Sequence, residues 1–245
     1  MKMTISRDEF VALCENCFKL NGLEAFCEQK TLDLLYQMTD HMLEVNAQMN
    51  LTAITEPREV VLKHLADSLS ASRLLPNGAK LLDVGCGGGF PSLPLAVARP
   101  DLSITALDST AKKTRYVAET AALLGLENLK TLTGRAEELA QEPQYREAFD
   151  VSIARAVASL PVLTELCLPF VRVGGKMVAM KARLDESDGT KAPQILGASP
   201  FEKHELELKG DSGSSEFRLL LVSEKQRPTP LTYPRAYAQI KKKPL

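Results

Sequence analysis

Apolar residues follow two different spacings along this chain, and the change falls near residue 79. In residues 6–72 they recur every three or four positions, which is typical of the buried face of a helix. The clearest stripe is Leu35, Met38, Met42, Val45 and Met49. Ser6 and Glu9 fit a capping box at the start of one helix, and Pro57 suits the first turn of another. This part is therefore predicted to be helical, with the methionines as core packing.

Beyond residue 79, short apolar runs alternate with helical stretches. The runs are 80–84, 103–107, 129–133, 149–153 and 176–180. The helical stretches between them are 91–98, 111–124, 135–140 and 159–171. Nearly continuous apolar strands that alternate with helices predict a parallel sheet covered on both faces.

The C-terminal part departs from this alternation. Gly174-Gly175 fits a turn into the fifth strand, and two later runs, 201–208 and 216–222, could pair as an antiparallel edge. The last twenty residues contain four prolines and are predicted to be extended. We expect an α/β core at 74–224, a helical extension packed on it at 1–73, and a tail at 225–245.

Composition and charge narrow the class of protein. The 245 residues are 44% hydrophobic and 25% charged, as in an ordinary globular protein, and no apolar run approaches the roughly 20 residues that cross a bilayer. With no apolar leader at the N-terminus, we expect a cytoplasmic protein with no membrane partner. The five cysteines are scattered, and the Cys14-x-x-Cys17 pair is interpreted as helix packing, so no metal site is predicted. The net charge is −1, yet the tail has six basic residues and no acid.

A glycine-rich loop follows the first predicted strand. It reads Asp83-Val-Gly85-Cys-Gly87-Gly-Gly89-Phe90. A dinucleotide fingerprint requires a third glycine where Phe90 stands, so this loop suits an adenosyl ligand without a pyrophosphate better. A structural turn is the alternative.

Acidic residues follow the next two predicted strands. Asp108 ends the second strand, where a carboxylate can accept from both ribose hydroxyls, although it could also cap the helix that follows. Ala136 and Glu137 follow the third strand at the same carboxyl edge, where an adenine ring would lie.

Taken together, these features resemble the class I S-adenosylmethionine-dependent methyltransferases, and more closely the RsmG (GidB) family of bacterial small-subunit ribosomal RNA methyltransferases. The matching pieces are Asn50–Ile54, His64–Ser68, Asp83–Pro94, Leu107–Ser109, Arg135–Glu137, Ala154–Ala158, Met180-Lys181 and the tail from Tyr233. In the tail, Ala238-Gln239-Ile240 replaces the usual Gly-Thr-Pro, which leaves the tail conformation open.

The resemblance implies a Rossmann-like fold, with a mostly parallel seven-stranded sheet and an antiparallel edge strand. It also implies transfer of a methyl group from S-adenosyl-L-methionine to N7 of one guanosine in a conserved loop of 16S ribosomal RNA. Guanine N7 carries no proton, so the reaction is a direct displacement that requires no general base. The expected partner is the small ribosomal subunit or an assembly intermediate, and the expected state is a monomer.

Site residues follow from the loop and from the resemblance. The cofactor-binding candidates are Asp83, Gly85, Gly87, Gly89, Phe90, Asp108, Ala136, Glu137 and Arg155. The candidates for positioning guanine are Arg155, Lys181 and His64. Arg155 could instead be a surface arginine paired with an acid, His64 could belong to a capped or salt-linked helix end, and Lys181 could lie in a solvated basic turn. The RNA-binding candidates are Arg235, Lys241, Lys242 and Lys243, interleaved with tyrosines that could stack on unpaired bases. The tail could also be a solubilising end.

Two other functions stay open on the sequence alone. A methyltransferase of small molecules would share the glycine loop and Asp108, but an apolar lid would be expected in place of a basic tail. A non-catalytic NAD-binding module is disfavoured by Phe90.

Overall fold

A computed structural model describes residues 3–183, 190–211 and 213–245. Its first part is helical, as predicted. Helix α1 is Arg7–Leu20, and the Ser6/Glu9 capping box is present at its start. Helix α2 is Gln29–Met49, and the buried side of its stripe is formed by Leu35, Met38 and Met42.

The helix that begins at Pro57 changes its winding along its length. It consists of α3 (Pro57–Val60), a π-helical stretch (Val61–Ala66), α4 (Asp67–Ser70) and a 3-10 turn (Ala71–Leu74). The π stretch contains His64, and π-helical segments occur frequently at functional sites.

The second part forms a seven-stranded sheet with the strand order β3-β2-β1-β4-β5-β7-β6. The strands are β1 Lys80–Val84, β2 Ser103–Asp108, β3 Leu129–Thr133, β4 Phe149–Arg155, β5 Val171–Lys181, β6 Glu202–Lys209 and β7 Ser215–Glu224. The helices are α5 Ser92–Ala98, α6 Ala111–Leu123, α7 Ala136–Leu139, α8 Leu160–Cys167 and α9 Ala192–Ile195. β1 to β5 pair in parallel, and β7 is antiparallel to β5 and β6. This confirms the predicted mostly parallel sheet with an antiparallel edge.

Two local predictions were wrong. β5 begins at Val171, so Gly174-Gly175 is an irregularity inside the strand, where its register against β4 shifts, rather than a turn before it. The tail is not extended throughout, since Tyr237–Lys242 form a short helix, α10. This segment contains no proline, and the helical turn buries Ile240 completely against the core.

Apolar side chains form a core on each face of the sheet. Alternate residues of β1 point to opposite faces, with Leu81 in one core and Leu82 and Val84 in the other. The first core also takes in the buried faces of α1 to α6, so the N-terminal helices pack directly on the sheet. The second contains α8 and Ile240 of α10.

The strand order creates an opening at the carboxyl edge. The chain leaves β1 for β2 on one side, whereas β4 pairs with β1 on the other. The connections therefore diverge above β1, and in open α/β sheets ligands bind in the crevice at this point.

Candidate functional site

A cavity of about 460 Å³ lies at the carboxyl ends of β1 to β4. Its lining residues come from the glycine loop, from the ends of β2, β3 and β4, and from two distant segments of chain. Of the predicted cofactor-binding residues, the lining includes Gly85, Gly87, Phe90, Asp108, Ala136, Glu137 and Arg155. The structure thus brings together seven of these nine candidates.

Gly87 lines the cavity and lets the backbone of the glycine loop turn there. Its φ is +54°, in the left-handed region that favours glycine, and a Cβ placed there would meet only the Gly85 carbonyl oxygen, 3.8 Å away. The backbone amides of Gly85 and Cys86 donate to the Leu107 carbonyl at 2.8 and 2.9 Å, which ties the loop to the end of β2. A side chain at Gly87 would therefore project into free space in the cavity.

Two of the predicted cofactor-binding residues, Asp83 and Gly89, are not part of the cavity lining. Asp83 is completely buried and does not line the cavity; its Oδ2 accepts a hydrogen bond from the Ser92 hydroxyl. Gly89 does not line the cavity either, and a Cβ there would collide with the Leu93 side chain. Both residues support the loop from its core side, because the Asp83 side chain points into the core and Leu93 of α5 packs on Gly89.

Burial raises the pKa of Asp83 to about 6. The hydrogen bond from Ser92 opposes this shift by stabilising the ionised carboxyl. Oδ1 of the same carboxyl is buried and has no hydrogen-bond partner. Asp83 thus leaves an unsatisfied acceptor directly beneath the glycine loop.

Asp108 is held where a ligand could reach it. Its Oδ2 accepts from the Gly87 amide at 3.1 Å, its Oδ1 accepts from the Thr110 amide at 2.9 Å, and Lys113 Nζ lies 3.9 Å away. Each carboxylate oxygen can accept a further hydrogen bond. Asp108 is not the cap of α6, whose N-cap is Thr110.

His64 and Phe90 form an aromatic wall. Their rings are stacked, with centroids 4.3 Å apart, and the Arg155 guanidinium lies 5.3 Å from the Phe90 ring centroid. His64 Nε2 shares a hydrogen bond of 2.8 Å with the Thr52 hydroxyl. Burial, reinforced by the positive charge of Arg155, lowers the pKa of His64 to about 3, so the ring is neutral near pH 7.

His64 should therefore destabilise the protein in acid. His64 gains a proton below about pH 6.5 in the unfolded chain but only near pH 3 in the folded chain. The free energy of unfolding therefore falls as the pH falls through this window. His64→Phe keeps the stacking and removes the titration. Between pH 7 and 4.5 we expect wild type to lose about 2–3 kcal/mol relative to this variant, measured by urea unfolding. Parallel losses in the two proteins would contradict the assignment.

Arg155 is joined through Asp67 to Arg218, a residue that sequence reasoning missed. Its Nη1 donates to Asp67 Oδ2 at 2.8 Å, and Nε of Arg218 donates to Asp67 Oδ1 at 3.0 Å. Asp67 is 4% exposed. The ion-pair alternative for Arg155 is thus present, although the pair is buried rather than on the surface. Arg218 carried no local signal, because β7 brings it to the site from 151 positions beyond Asp67.

A second cavity, of about 640 Å³, adjoins the first and shares His64, Arg155, Ala156 and Ala158 with it. Its remaining charged lining consists of Lys63, Asp67, Lys181, Arg183 and Arg218. Arg155 and His64 therefore stand between a cavity that contains Asp108 and Glu137 and one that contains mostly cations.

The predicted RNA-binding residues of the tail differ in exposure. Lys241, Lys242 and Lys243 are exposed on and just after α10. The Arg235 guanidinium pairs instead with Glu165, which is fully buried, at 2.6 Å. Arg235 thus anchors the tail through Glu165, and its contact with RNA stays a prediction.

In the described residues (3–183, 190–211 and 213–245), no helix is long and apolar enough to cross a membrane. Within the same ranges no group of three or more histidine, cysteine or acidic side chains is arranged to hold a metal ion. Cys14 and Cys17 are free thiols buried on α1, and burial raises the pKa of both.

Known proteins resemble the chain over most of its length. The family model for rRNA small subunit methyltransferase G matches residues 31–212. A ribosomal RNA small subunit methyltransferase G of Acetivibrio thermocellus is 40% identical over 92% of this chain and 93% of its own length. One from Deinococcus radiodurans is 47% identical over 78% of this chain and 76% of its own.

Solved structures agree on the fold. An O-methyltransferase from Bacillus cereus, determined in complex with SAH, has a TM-score of 0.52 at 18% identity and covers 77% of this chain and 90% of its own. By these matches the chain belongs to the rRNA small subunit methyltransferase G family, S-adenosylmethionine-dependent enzymes of the class I methyltransferase fold.

Proposed function

We propose that the protein transfers a methyl group from S-adenosyl-L-methionine to N7 of a guanosine in a conserved loop of 16S ribosomal RNA. The observation that best supports this proposal is that two cavities, one with acidic residues and one mostly cationic, meet at His64 and Arg155. A donor in the first and a base in the second would meet at this junction. We further propose that the enzyme acts in the cytoplasm, as a monomer, on the small subunit or an assembly intermediate.

The first cavity fits the methyl donor. Asp108 offers carboxylate oxygens for ribose hydroxyls, and open space faces Gly87, where any side chain would intrude. Ala136 and Glu137 line the end proposed for adenine, and the carboxylate of Glu137 is fixed by Arg135 at 2.8 Å. When bound, the donor supplies a sulfonium-activated methyl group; the residues around it bind and orient it.

The second cavity fits a guanosine and its phosphates. Five cationic side chains line it, and its described lining contains one acid, Asp67, which is already paired with two of the five. Arginine and lysine donate to guanine O6 and to phosphate oxygens. The lone pair of N7 must stay free to attack, so we assign Arg155 and Lys181 to O6 or phosphate and not to N7.

The ionisation state of the junction supports a mechanism without a general base. His64 is the side chain at the junction with a basic ring nitrogen, but its pKa of about 3 makes it a poor proton acceptor, and its Nε2 already shares a hydrogen bond with the Thr52 hydroxyl. Since N7 has no proton to lose, alignment and exclusion of water are what the residues contribute. We propose that His64 and Phe90 form the wall that positions the base.

The test is incubation with labelled donor and small ribosomal subunits that lack the modification, followed by nucleoside analysis. Label in 7-methylguanosine is the expected result. Label in an exocyclic amine, or efficient turnover of a small acceptor with none in RNA, would contradict the assignment of the acceptor.

Replacing Lys241, Lys242 and Lys243 together with glutamine should weaken RNA binding. Each lysine that neutralises a phosphate releases counterions, so the slope of log K against log salt should fall by up to about 2 to 3. Filter binding from 50 to 300 mM salt measures this slope. Binding of S-adenosylhomocysteine should not change, and an unaltered salt slope would assign the tail lysines to solubility alone.

A further inference from the structure

The tail also reaches the first cavity. Tyr237, the first residue of α10, lines the cavity from a position 129 residues beyond Asp108. Its ring lies under the Arg135 guanidinium, 4.5 Å from Cζ to the ring centroid, and the residue is 36% exposed. An aromatic ring therefore stands at the rim of the cavity, at the end where Ala136 and Glu137 lie.

The tail is fixed where it approaches this rim. Arg235 makes three hydrogen bonds to the buried carboxylate of Glu165: its amide and Nε donate to Oε1 at 2.9 and 2.8 Å, and Nη2 donates to Oε2 at 2.6 Å. Gln141 donates to the Pro234 carbonyl at 2.8 Å. On the other side of Tyr237, Ile240 is fully buried in the second core. Tyr237 is thus held between two anchored positions.

We propose that Tyr237 is a cofactor-binding residue that recognises the adenine of the methyl donor, an inference that rests on the proposed function of the cavity. A flat base at this end would meet the tyrosine ring and the guanidinium of Arg135, both of which stack on aromatic planes. The tail then has two roles, since Lys241 follows Tyr237 by one helical turn and remains exposed.

The role assigned to Tyr237 is binding and not catalysis. The ring contacts the base, remote from the methyl group, so it stabilises the bound donor equally before and during the reaction. Its loss should raise the KM for the donor and leave kcat at saturating donor unchanged.

The direct test is calorimetric titration of the full chain with S-adenosylhomocysteine. Aromatic contacts of this kind predict a loss of about 3-fold to 10-fold in affinity for Tyr237→Ala. Tyr237→Phe keeps the ring and should bind within about twofold of wild type. Leu231→Ala is the matched control, because Leu231 belongs to the same tail, is 87% exposed and does not line the cavity.

The outcomes separate this inference from the function on which it rests. Wild-type binding of S-adenosylhomocysteine with an unchanged Tyr237→Ala would overturn the role of Tyr237 and leave the cofactor site intact. Equal losses in Tyr237→Ala and Leu231→Ala, or in Tyr237→Ala and Tyr237→Phe, would also overturn it. If the wild type bound no S-adenosylhomocysteine, the cofactor site and this inference would both fail.

Discussion

Gly87→Val is expected to weaken binding of S-adenosylhomocysteine by at least about 100-fold, which corresponds to about 3 kcal/mol. The valine side chain would enter the free space that the glycine leaves in the cavity, where the bound donor would have to lie. The loop itself cannot retreat easily, since the neighbouring amides of Gly85 and Cys86 are bonded to Leu107. Isothermal titration calorimetry at pH 7 measures the loss.

Gly78→Val is the matched control. Gly78 has a φ of +69° and nothing within 4 Å of a built Cβ, and it does not line the cavity. Both variants place a side chain in the left-handed region, which costs about 1–2 kcal/mol of stability. Thermal unfolding should show similar losses in the two, with lost ligand binding only in Gly87→Val. Equal binding by both variants would mean that the donor does not occupy the space in front of Gly87.

Sequence patterning predicted the parts of this molecule that depend on local periodicity. Five strands and the helices between them are visible because burial on both faces requires continuous apolar runs. The position of Asp108 at the carboxyl edge of the sheet follows because it ends a strand that is predicted to be parallel to its neighbours. Positions such as Gly174 were misassigned because an irregularity inside a strand uses the same residue as a turn.

Contacts between distant segments could not be predicted in this way. Arg218 lies on an edge hairpin and is brought to Asp67 by the register of β7 against β5. Tyr237 reaches the cavity because Arg235 finds a buried partner on α8. In the sequence, Arg235 and Tyr237 look like parts of one basic tail. The fold shows that Arg235 anchors this tail, that Tyr237 lines the cavity and that the lysines are exposed.

The inward direction of the Asp83 side chain also could not be predicted from the sequence. The sequence places an acid two residues before the first glycine of the loop, where a ligand contact is the natural interpretation. Side chains alternate between the two faces of β1, and the Asp83 side chain is completely buried and accepts a hydrogen bond from the Ser92 hydroxyl. The glycine motif therefore predicted the loop correctly, but it could not show which of its residues face the cavity.

Asp67→Asn is expected to reduce methyl transfer to small ribosomal subunits by about 100-fold, because Arg155 and Arg218 lose the charge that fixes both guanidinium groups. Asparagine has the same shape but offers one oxygen and no charge to two arginines. Breaking a buried ion pair of this kind costs about 3 kcal/mol of unfolding free energy. Single-turnover rates with labelled donor and urea unfolding measure the two effects.

A positioning role requires that the donor site survives this change. S-adenosylhomocysteine should bind Asp67→Asn within a fewfold of wild type, because Asp67 lines the second cavity and not the first. Asp150→Asn is the matched control: it removes a carboxylate from the pair with Arg172, whose side chain is 52% exposed, and exposed pairs contribute at most about 1 kcal/mol. If both variants transferred methyl groups at the wild-type rate, the two arginines would hold their positions without Asp67, and the acceptor pocket would have to be assigned to other residues.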